Sequence, residues 1–182
     1  MRKVVLAMYM SLDGYIEGPN KEFTAPRFSP DLKSKWIDRN IERADLMMYG
    51  RTAYEGMAAY WTSPAANKEE AAILANANKI VFSTKLAMAD WGNVRIVRAD
   101  IPAEINRLKA EPGKDMVLLG GGGIAMSFLD MGLVDELSLL ISPLIQGGGT
   151  RLFAGARERT GLTLESAQPF DSGAVKLTYR RT

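Results

Sequence analysis

Runs of apolar and β-branched residues, bounded by Gly, Asp or Asn, recur along the chain at a spacing typical of strands separated by helices. The last two runs flank Asp171-Ser172-Gly173, a short connection typical of an antiparallel hairpin. The runs predict strands at 3–10, 46–49, 79–83, 94–98, 116–119, 136–145, 162–170 and 174–180.

Between the earlier strands, apolar residues recur at the three- and four-residue spacing of amphipathic helices. Ser29-Pro30-Asp31 and Asp100-Ile101-Pro102 each place a capping side chain beside a proline suited to a first helical turn. The alternation of strand and helix predicts an α/β fold, a three-layer α/β/α sandwich with a mainly parallel central sheet and a C-terminal antiparallel hairpin. The predicted helices are 31–44, 52–60, 67–77, 101–110 and 124–131.

Length and composition narrow the class of protein. The 182 residues, 47% of them hydrophobic, predict one domain over 1–182 that buries a full core. A net charge of +2 indicates neither a nucleic-acid partner nor a membrane-binding face. No apolar run approaches the ~20 residues of a membrane-spanning helix. We therefore expect a protein whose ligand is a small molecule.

The chain contains no Cys and no His. This composition excludes disulfides, thiol nucleophiles, CxxC metal sites and Ser-His triads, and we expect no metal centre. Absence of Cys is typical of the reducing cytoplasm, which is the location we expect. Any chemistry must come from a carboxylate, Lys, Tyr, water or an organic cofactor.

Four consecutive glycines follow the predicted strand 116–119 and precede a predicted helix. Without Cβ atoms, their N–H groups can converge on an anion while the helix N-terminus adds its positive dipole end. A tight turn without a ligand is the alternative, but the carboxyl end of a parallel strand favours binding, and a pyrophosphate would suit it. The spacing differs from the GxGxxG pattern of Rossmann sites. This candidate cradle comprises Gly120, Gly121, Gly122, Gly123, Ile124 and Ala125.

Two more predicted strands end in turns equipped to bind phosphate. Gly50-Arg51-Thr52 offers a cation and a hydroxyl at a helix start, and Ser83-Thr84-Lys85 offers two hydroxyls and a cation. A single turn of this kind is best explained as a solvent-exposed turn without a ligand. Three such turns at the carboxyl ends of parallel strands, however, predict one shared ligand site. We interpret the glycine run 146–151 as a flexible turn rather than a second anion site, and the loop 18–30 as a lid.

Five short motifs, taken in chain order, resemble the dihydrofolate reductase superfamily. Within it the chain is most similar to the reductase domain of the riboflavin-pathway bifunctional deaminase-reductases, without the deaminase half. The resemblance implies a dihydrofolate reductase-like fold and an NADPH-dependent reductase acting on a small heterocycle, such as the ribosylaminopyrimidine of 5-amino-6-(5-phosphoribosylamino)uracil reductase. The motifs are Ser11-Leu12-Asp13-Gly14-Tyr15-Ile16, Tyr49-Gly50-Arg51-Thr52, Ser83-Thr84-Lys85, Gly120-Gly121-Gly122 and Val134-Asp135-Glu136-Leu137.

The resemblance also implies how NADPH would lie along the carboxyl edge of the sheet. The pyrophosphate would rest on the glycine cradle, and backbone groups of Tyr9 and Ile16 would hold the nicotinamide carboxamide. Two cations beside the adenosine phosphate would favour NADPH over NADH. The residues implied around that phosphate are Gly50, Arg51, Thr52, Ser83, Thr84 and Lys85.

Three residues are candidates for catalysis. The folate enzymes bind their pterin through a carboxylate early in the helix after the lid. Here Asp31 lies about two residues before that position, and Lys33 occupies it. Asp13 or Asp31 could aid protonation of the substrate, and Lys33 could contact a substrate phosphate.

The sequence allows two other functions and predicts an assembly. A true dihydrofolate reductase is one alternative, although the misplaced carboxylate counts against it, and a non-catalytic NADPH-binding module is another. We also expect a homodimer, because the strand 137–145 and the terminal hairpin could present a sheet edge.

Overall fold

The computed structural model describes residues 1–181, with the exception of the side chains of 36–39. Ten strands are found in this part of the chain, most of them at the positions that the apolar runs predict. They are β1 (Val4–Ser11), β2 (Tyr15–Glu17), β3 (Ala44–Gly50), β4 (Asn78–Phe82), β5 (Val94–Val97), β6 (Asp115–Leu118), β7 (Glu136–Ser142), β8 (Thr150–Arg151), β9 (Leu162–Pro169) and β10 (Val175–Arg181).

The helices also follow the predicted pattern. The predicted helix 31–44 begins as a short α-helical turn, continues through a π-helical stretch and ends as α-helix. The helices are α1 (Pro30–Leu32), the π-helical stretch (Lys33–Asp38), α2 (Arg39–Arg43), α3 (Arg51–Trp61), α4 (Lys68–Asn76), α5 (Ile101–Ala110) and α6 (Gly122–Asp130). Among the described residues, no helix is long and apolar enough to cross a bilayer.

Eight of the described strands form one sheet in the order β5-β4-β3-β6-β1-β7-β10-β9. The first six run parallel, whereas β10 is antiparallel to β7 and β9 is antiparallel to β10. The predicted α/β architecture, with its C-terminal hairpin, is confirmed. Of the two segments expected at a sheet edge, the terminal hairpin does supply an edge strand, β9, whereas the expectation is wrong for 137–145, because β7 is paired on both sides.

The core lies on both faces of this sheet. Along β1 the side chains alternate between faces, so that Leu6 packs with the cluster that includes Phe128 of α6, and Val5 packs with the cluster that includes Leu32 of α1. Leu6 and Val5 are both 0% exposed. A central strand buried on two faces explains why 3–10 reads as a continuous apolar run rather than as an alternating one.

The sequence pattern did not predict the pairing of β2 with β8, which form a separate two-stranded ribbon. Gly149, just before β8, has a φ of +115°, and a Cβ there would lie 2.1 Å from the carbonyl oxygen of Glu17. The glycine run is therefore needed for close packing against β2, beyond its role as a turn. Strands of two and three residues are too short to show a hydrophobic period, so the pattern gives no sign of them.

An ion network closes the opposite, amino edge of the sheet. The Arg43 guanidinium lies 2.8 Å from Asp115 Oδ2 on β6 and 2.7 Å from Glu136 Oε1 on β7. Glu136 is only 5% exposed, so its charge depends on this partner.

Replacing Arg43 by Met should therefore destabilise the fold by about 2–3 kcal/mol, somewhat less than the roughly 3–5 kcal/mol of a fully buried ion pair, because Arg43 is partly exposed. Urea denaturation measures this loss. The matched control is Arg180→Met, which breaks an exposed pair with Glu165 at 3.5 Å and should change stability by less than about 1 kcal/mol. An equal loss of stability in the two variants would contradict the claim that the buried charge of Glu136 depends on Arg43.

Candidate functional site

The turn between β3 and α3 presents an uncapped helix start. Gly50 is the N-cap residue, with extended backbone and no side-chain cap bond, and no acidic residue occupies the first turn. A Cβ at Gly50 would lie 3.1 Å from the Ile124 side chain, so glycine allows α6 to pack closely against this turn. The first N–H groups of α3, with the exposed Arg51 and Thr52, thus form a site with positive electrostatic character.

Arg51 and the turn Ser83-Thr84-Lys85 line one pocket of about 260 Å³ at the carboxyl edge of the sheet, whereas the glycine cradle contributes only Ile124 to its lining. Phe82, Val97 and Ile101 supply its apolar lining. Among the described residues, those lining the pocket include three cations and no carboxylate, which suits an anionic ligand. The polar and cationic lining residues are Arg51, Ser83, Thr84, Lys85 and Arg98, and Ile124 of α6 lies beside them.

Two of these cations already have partners within the protein. The Arg51 guanidinium lies 2.9 Å from Glu55 Oε2, four residues along α3. Arg98, which sequence reasoning missed, donates a hydrogen bond to the Ala87 carbonyl at 3.2 Å. Because the Arg51–Glu55 pair is exposed and weak, an incoming phosphate can compete for Arg51 at little cost. Arg98 follows β5 at the same sheet edge, and that position is the signal that could have found it.

The loop after β4 is shaped by Ser83. Its hydroxyl oxygen accepts hydrogen bonds from the backbone N–H groups of Lys85 at 3.1 Å and Leu86 at 3.0 Å. This local turn leaves the Ser83 hydroxyl proton available to a ligand. It also fixes the backbone from which the exposed Thr84 and Lys85 side chains extend.

The tetraglycine bend forms the start of α6. Gly120 and Gly121 have φ values of +104° and +85°, which only glycine adopts without strain. Gly121 is the N-cap residue of α6 and supplies no side-chain cap, and the first N–H groups of a helix have no partner within the helix itself. Ala125 lies a turn further on, fully buried, and its amide donates to the Gly121 carbonyl at 3.0 Å, so it has no N–H for a ligand.

The bend lies against the β2–β8 ribbon. A Cβ at Gly122 would lie 3.2 Å from Ile16 Cδ1 and 3.6 Å from the Arg151 carbonyl oxygen. Ile16 is 8% exposed, and its carbonyl accepts a hydrogen bond from the Thr24 hydroxyl at 2.9 Å. The structure therefore brings Ile16 next to the glycine cradle and leaves its carbonyl one lone pair for another donor.

Tyr9 lies near the carboxyl end of β1, among side chains of the lid. Its ring centroid is 5.2 Å from that of Phe23 and 6.4 Å from that of Phe28, both in edge-to-face geometry. Burial raises the pKa of the Tyr9 phenol well above its ordinary value, so the group stays protonated at neutral pH. Tyr9 thus connects the sheet edge to the lid.

Asp13 is engaged by the protein itself. Its Oδ1 accepts hydrogen bonds from the Ser11 hydroxyl at 2.7 Å and from Gln146 N at 2.9 Å, and its Oδ2 accepts one from Gly147 N at 2.9 Å. The backbone bond from Gln146 is the main reason that the pKa of Asp13 is lowered to about 2. This carboxylate is ionised at neutral pH and fixes the loop that precedes β8, which favours a positioning role over proton donation.

The low pKa of Asp13 predicts a pH-dependent contribution to stability. A depressed folded-state pKa stabilises the protein above the ordinary value of 3.8, and the contribution disappears as pH falls towards about 2. Asp13→Asn should therefore lower the urea midpoint at pH 7, and the difference from the unmodified protein should shrink between pH 4 and pH 2. Asp130→Asn, at the exposed end of α6, should show no such difference at either pH.

Asp31 and Lys33 lie in other local networks. Asp31 Oδ1 accepts a hydrogen bond from the Ser29 hydroxyl at 2.6 Å, and Oδ2 accepts one from Asp171 N at 3.3 Å. The Ser29 bond is the main cause of the lowered pKa of Asp31. The Lys33 ammonium lies 3.6 Å from Glu70 Oε1. Among the described residues, no group of three or more acidic side chains is arranged to hold a metal ion.

Comparisons with known proteins agree with this fold. A curated relative, Uncharacterized protein YyaP of Bacillus subtilis (strain 168), is 32% identical over 181 residues, covering 98% of this chain and 94% of its own length. The Shewanella sp. PV-4 protein named "Putative riboflavin biosynthesis protein" superposes with a TM-score of 0.79 at 21% identity, covering 100% of this chain and 99% of that one.

A third comparison is the diaminohydroxyphosphoribosylaminopyrimidine deaminase/5-amino-6-(5-phosphoribosylamino)uracil reductase of Thermotoga maritima. It superposes with a TM-score of 0.72 at 16% identity, and covers 100% of this chain but 57% of that one. The sequence model of the RibD C-terminal domain family matches residues 2–176 of this chain, and this range includes all the strand-end turns described above. The structure has the dihydrofolate reductase-like fold, and the match extends over nearly the whole chain. The chain therefore belongs to the RibD C-terminal domain family.

Proposed function

We propose that the chain is an NADPH-dependent reductase of a small heterocycle, similar to the ribosylaminopyrimidine reductases. The observation that carries the proposal is the convergence of a cationic pocket and two uncapped helix starts on one rim of the sheet. Arg51 and Lys85 share the pocket with Ile124, the third residue of the helix that the glycine bend begins. An elongated ligand with phosphate groups at two points is the chemistry that such a rim fits.

The residues fit NADPH at three points. Arg51, Ser83, Thr84 and Lys85 would hold the phosphate on the adenosine ribose, where each charge-assisted hydrogen bond contributes about 1.5–3 kcal/mol before screening. The amides from Gly121 to Gly123 would hold the pyrophosphate, because positive φ angles and missing Cβ atoms open the bend to an anion.

The third point is the nicotinamide end. Backbone groups of Ile16 and Tyr9 would orient the ring, and the lid would exclude water from it. When bound, NADPH supplies the hydride, and the chain's own task is to position the ring and the substrate. Neither Asp13 nor Asp31 carries a proton at neutral pH, so we propose that the substrate is protonated from water.

The hydrogen bonds of Asp31 separate this proposal from a true dihydrofolate reductase. A folate enzyme needs a carboxylate that faces the pterin, whereas both Asp31 oxygens accept hydrogen bonds from Ser29 and Asp171. A non-catalytic NADPH-binding module would keep the rim and lack turnover, and assays with candidate heterocycles separate that alternative.

The direct test is a fluorescence titration of the purified protein with NADPH and NADH. We expect NADPH to bind below millimolar concentration and more tightly than NADH, because only NADPH carries the phosphate that meets Arg51 and Lys85. Failure of both cofactors to bind below millimolar concentration would remove the proposal.

We further propose that the protein forms a homodimer through the edge strand β9. Leu162 and Leu164 on this strand are 40% and 51% exposed, and an apolar sheet edge is usually covered. Light scattering should give twice the mass of the chain, and Leu164→Lys should give the mass of one chain. A monomer at every concentration tested would contradict this proposal.

A further inference from the structure

Ile16 lies at an irregular point of the β2–β8 ribbon. Tyr15 pairs with Arg151, the next pair joins Glu17 to Thr150, and the register shifts between the two pairs. Ile16 therefore has no paired residue of its own on β8, which is the position of the extra residue in a β-bulge. Because a bulge interrupts the regular ladder, the Ile16 carbonyl can take a hydrogen-bond partner from elsewhere in the chain.

Thr24, in the middle of the lid, supplies that partner. It is 0% exposed, and its hydroxyl donates a hydrogen bond to the Ile16 carbonyl at 2.9 Å. Its own carbonyl accepts a hydrogen bond from the Ser142 hydroxyl at the end of β7. The lid is thus fixed at Thr24 to two separate strands, while residues 19–23 and 27–28 on either side of it are exposed.

The chemistry of the Thr24 side chain indicates more than filling of space. Valine has nearly the same shape and would fill the same buried site without a polar group. A buried hydroxyl is costly unless it makes a hydrogen bond, and this one makes it to the Ile16 carbonyl. The identity of residue 24 is therefore tied to the orientation of that carbonyl.

We infer that Thr24 is a positioning residue for the nicotinamide, because its hydroxyl holds the Ile16 carbonyl in the orientation that receives the carboxamide N–H. A carbonyl oxygen has two lone pairs, so Thr24 and the carboxamide can bind it together. The inference rests on the proposed function, under which the nicotinamide lies at Ile16. Coupling is reciprocal, so a bond from Thr24 that favours the nicotinamide is itself favoured, and the lid held, when the nicotinamide binds.

The first test measures the affinity of Thr24→Val for two ligands by calorimetry: NADPH, and 2′-phospho-ADP-ribose, which lacks the nicotinamide. We expect NADPH to bind about fivefold more weakly than to the unmodified protein, the effect of one hydrogen bond. Affinity for 2′-phospho-ADP-ribose should change by less than about twofold, a difference that a merely structural role would not produce. Thr24→Ser keeps the hydroxyl and should restore NADPH binding.

Thr62→Val is the matched control. The Thr62 hydroxyl also donates to a backbone carbonyl, that of Ala58 at 2.8 Å, but it lies at the opposite end of α3 from Arg51. This variant should bind both ligands as the unmodified protein does. The inference is overturned if Thr24→Val also binds both ligands unchanged, or if it loses affinity for both equally.

The second test uses the unmodified protein, so it decides even if Thr24→Val fails to fold. Lys21 and Arg27 are exposed on either side of Thr24, so trypsin can cut the lid at both. At saturation, NADPH should slow this cleavage about fivefold more than 2′-phospho-ADP-ribose does. Equal protection by the two ligands would overturn the inference and leave the proposed function standing. If the unmodified protein binds neither ligand, the proposed function is overturned and the inference falls with it.

Discussion

Replacing both Arg51 and Lys85 by Gln should weaken NADPH binding by about 100-fold, and each single substitution should weaken it by about tenfold, or 1.4 kcal/mol. Each substitution removes one charge-assisted hydrogen bond to the phosphate on the adenosine ribose. The free energy of that bond is set at the low end of its usual range because both side chains are exposed. Affinity for NADH, which lacks this phosphate, should change by less than about twofold. Fluorescence titration with both cofactors measures the ratio of NADPH affinity to NADH affinity in each variant.

The control for charge is Arg107→Gln. Arg107 pairs with Glu104 and Glu111 on α5 and is not among the residues that line the cationic pocket. This variant loses the same charge and should bind both cofactors as the unmodified protein does. An equal loss of NADPH and NADH affinity in the double variant would show that the pocket does not recognise the phosphate.

Replacing Gly123 by Ala should keep the fold as stable as before, or make it more stable, and yet weaken NADPH binding by about tenfold or more. A Cβ at Gly123 would meet no protein atom within 4 Å, so the fold tolerates it. Ala is favoured over Gly inside a helix by about 0.5–1 kcal/mol, and the glycine therefore costs the free protein some stability. The open space in front of it is where we expect the pyrophosphate.

Gly56 of α3 supplies the matched control. A Cβ there also meets nothing within 4 Å, and the residue lies in a helix, so Gly56→Ala should raise stability in the same way. It should leave NADPH affinity unchanged. If Gly123→Ala and Gly56→Ala bind NADPH equally well, the bend does not hold the pyrophosphate.

Local patterns explain why the sheet and most helices could be predicted. The strand that ends at Leu118 buries three consecutive apolar residues, and the helix that begins at Gly122 buries Ala125 and Phe128 at the three-residue spacing of one helix face. The three strand-end turns could be grouped because parallel strands carry their carboxyl ends to one edge. Arg51, Ser83, Thr84 and Lys85 line one pocket in consequence.

Contacts between distant parts of the chain could not be predicted in this way. The sequence predicts Asp13 as a candidate acid, because the partners that hold it ionised lie 133 and 134 positions away at Gln146 and Gly147. The β2–β8 ribbon depends on a similar long-range contact between Glu17 and Gly149. Neither has a local period or a propensity that would reveal it, because packing between loops is decided by the whole fold.

A crystal structure of the protein grown with NADPH tests the central claim most directly. The account predicts the ribose phosphate within hydrogen-bonding distance of Arg51 and Lys85, and the pyrophosphate over the amides of Gly121 to Gly123. Density for the cofactor at any other surface, or contacts to the pyrophosphate that leave the glycine bend untouched, would contradict it.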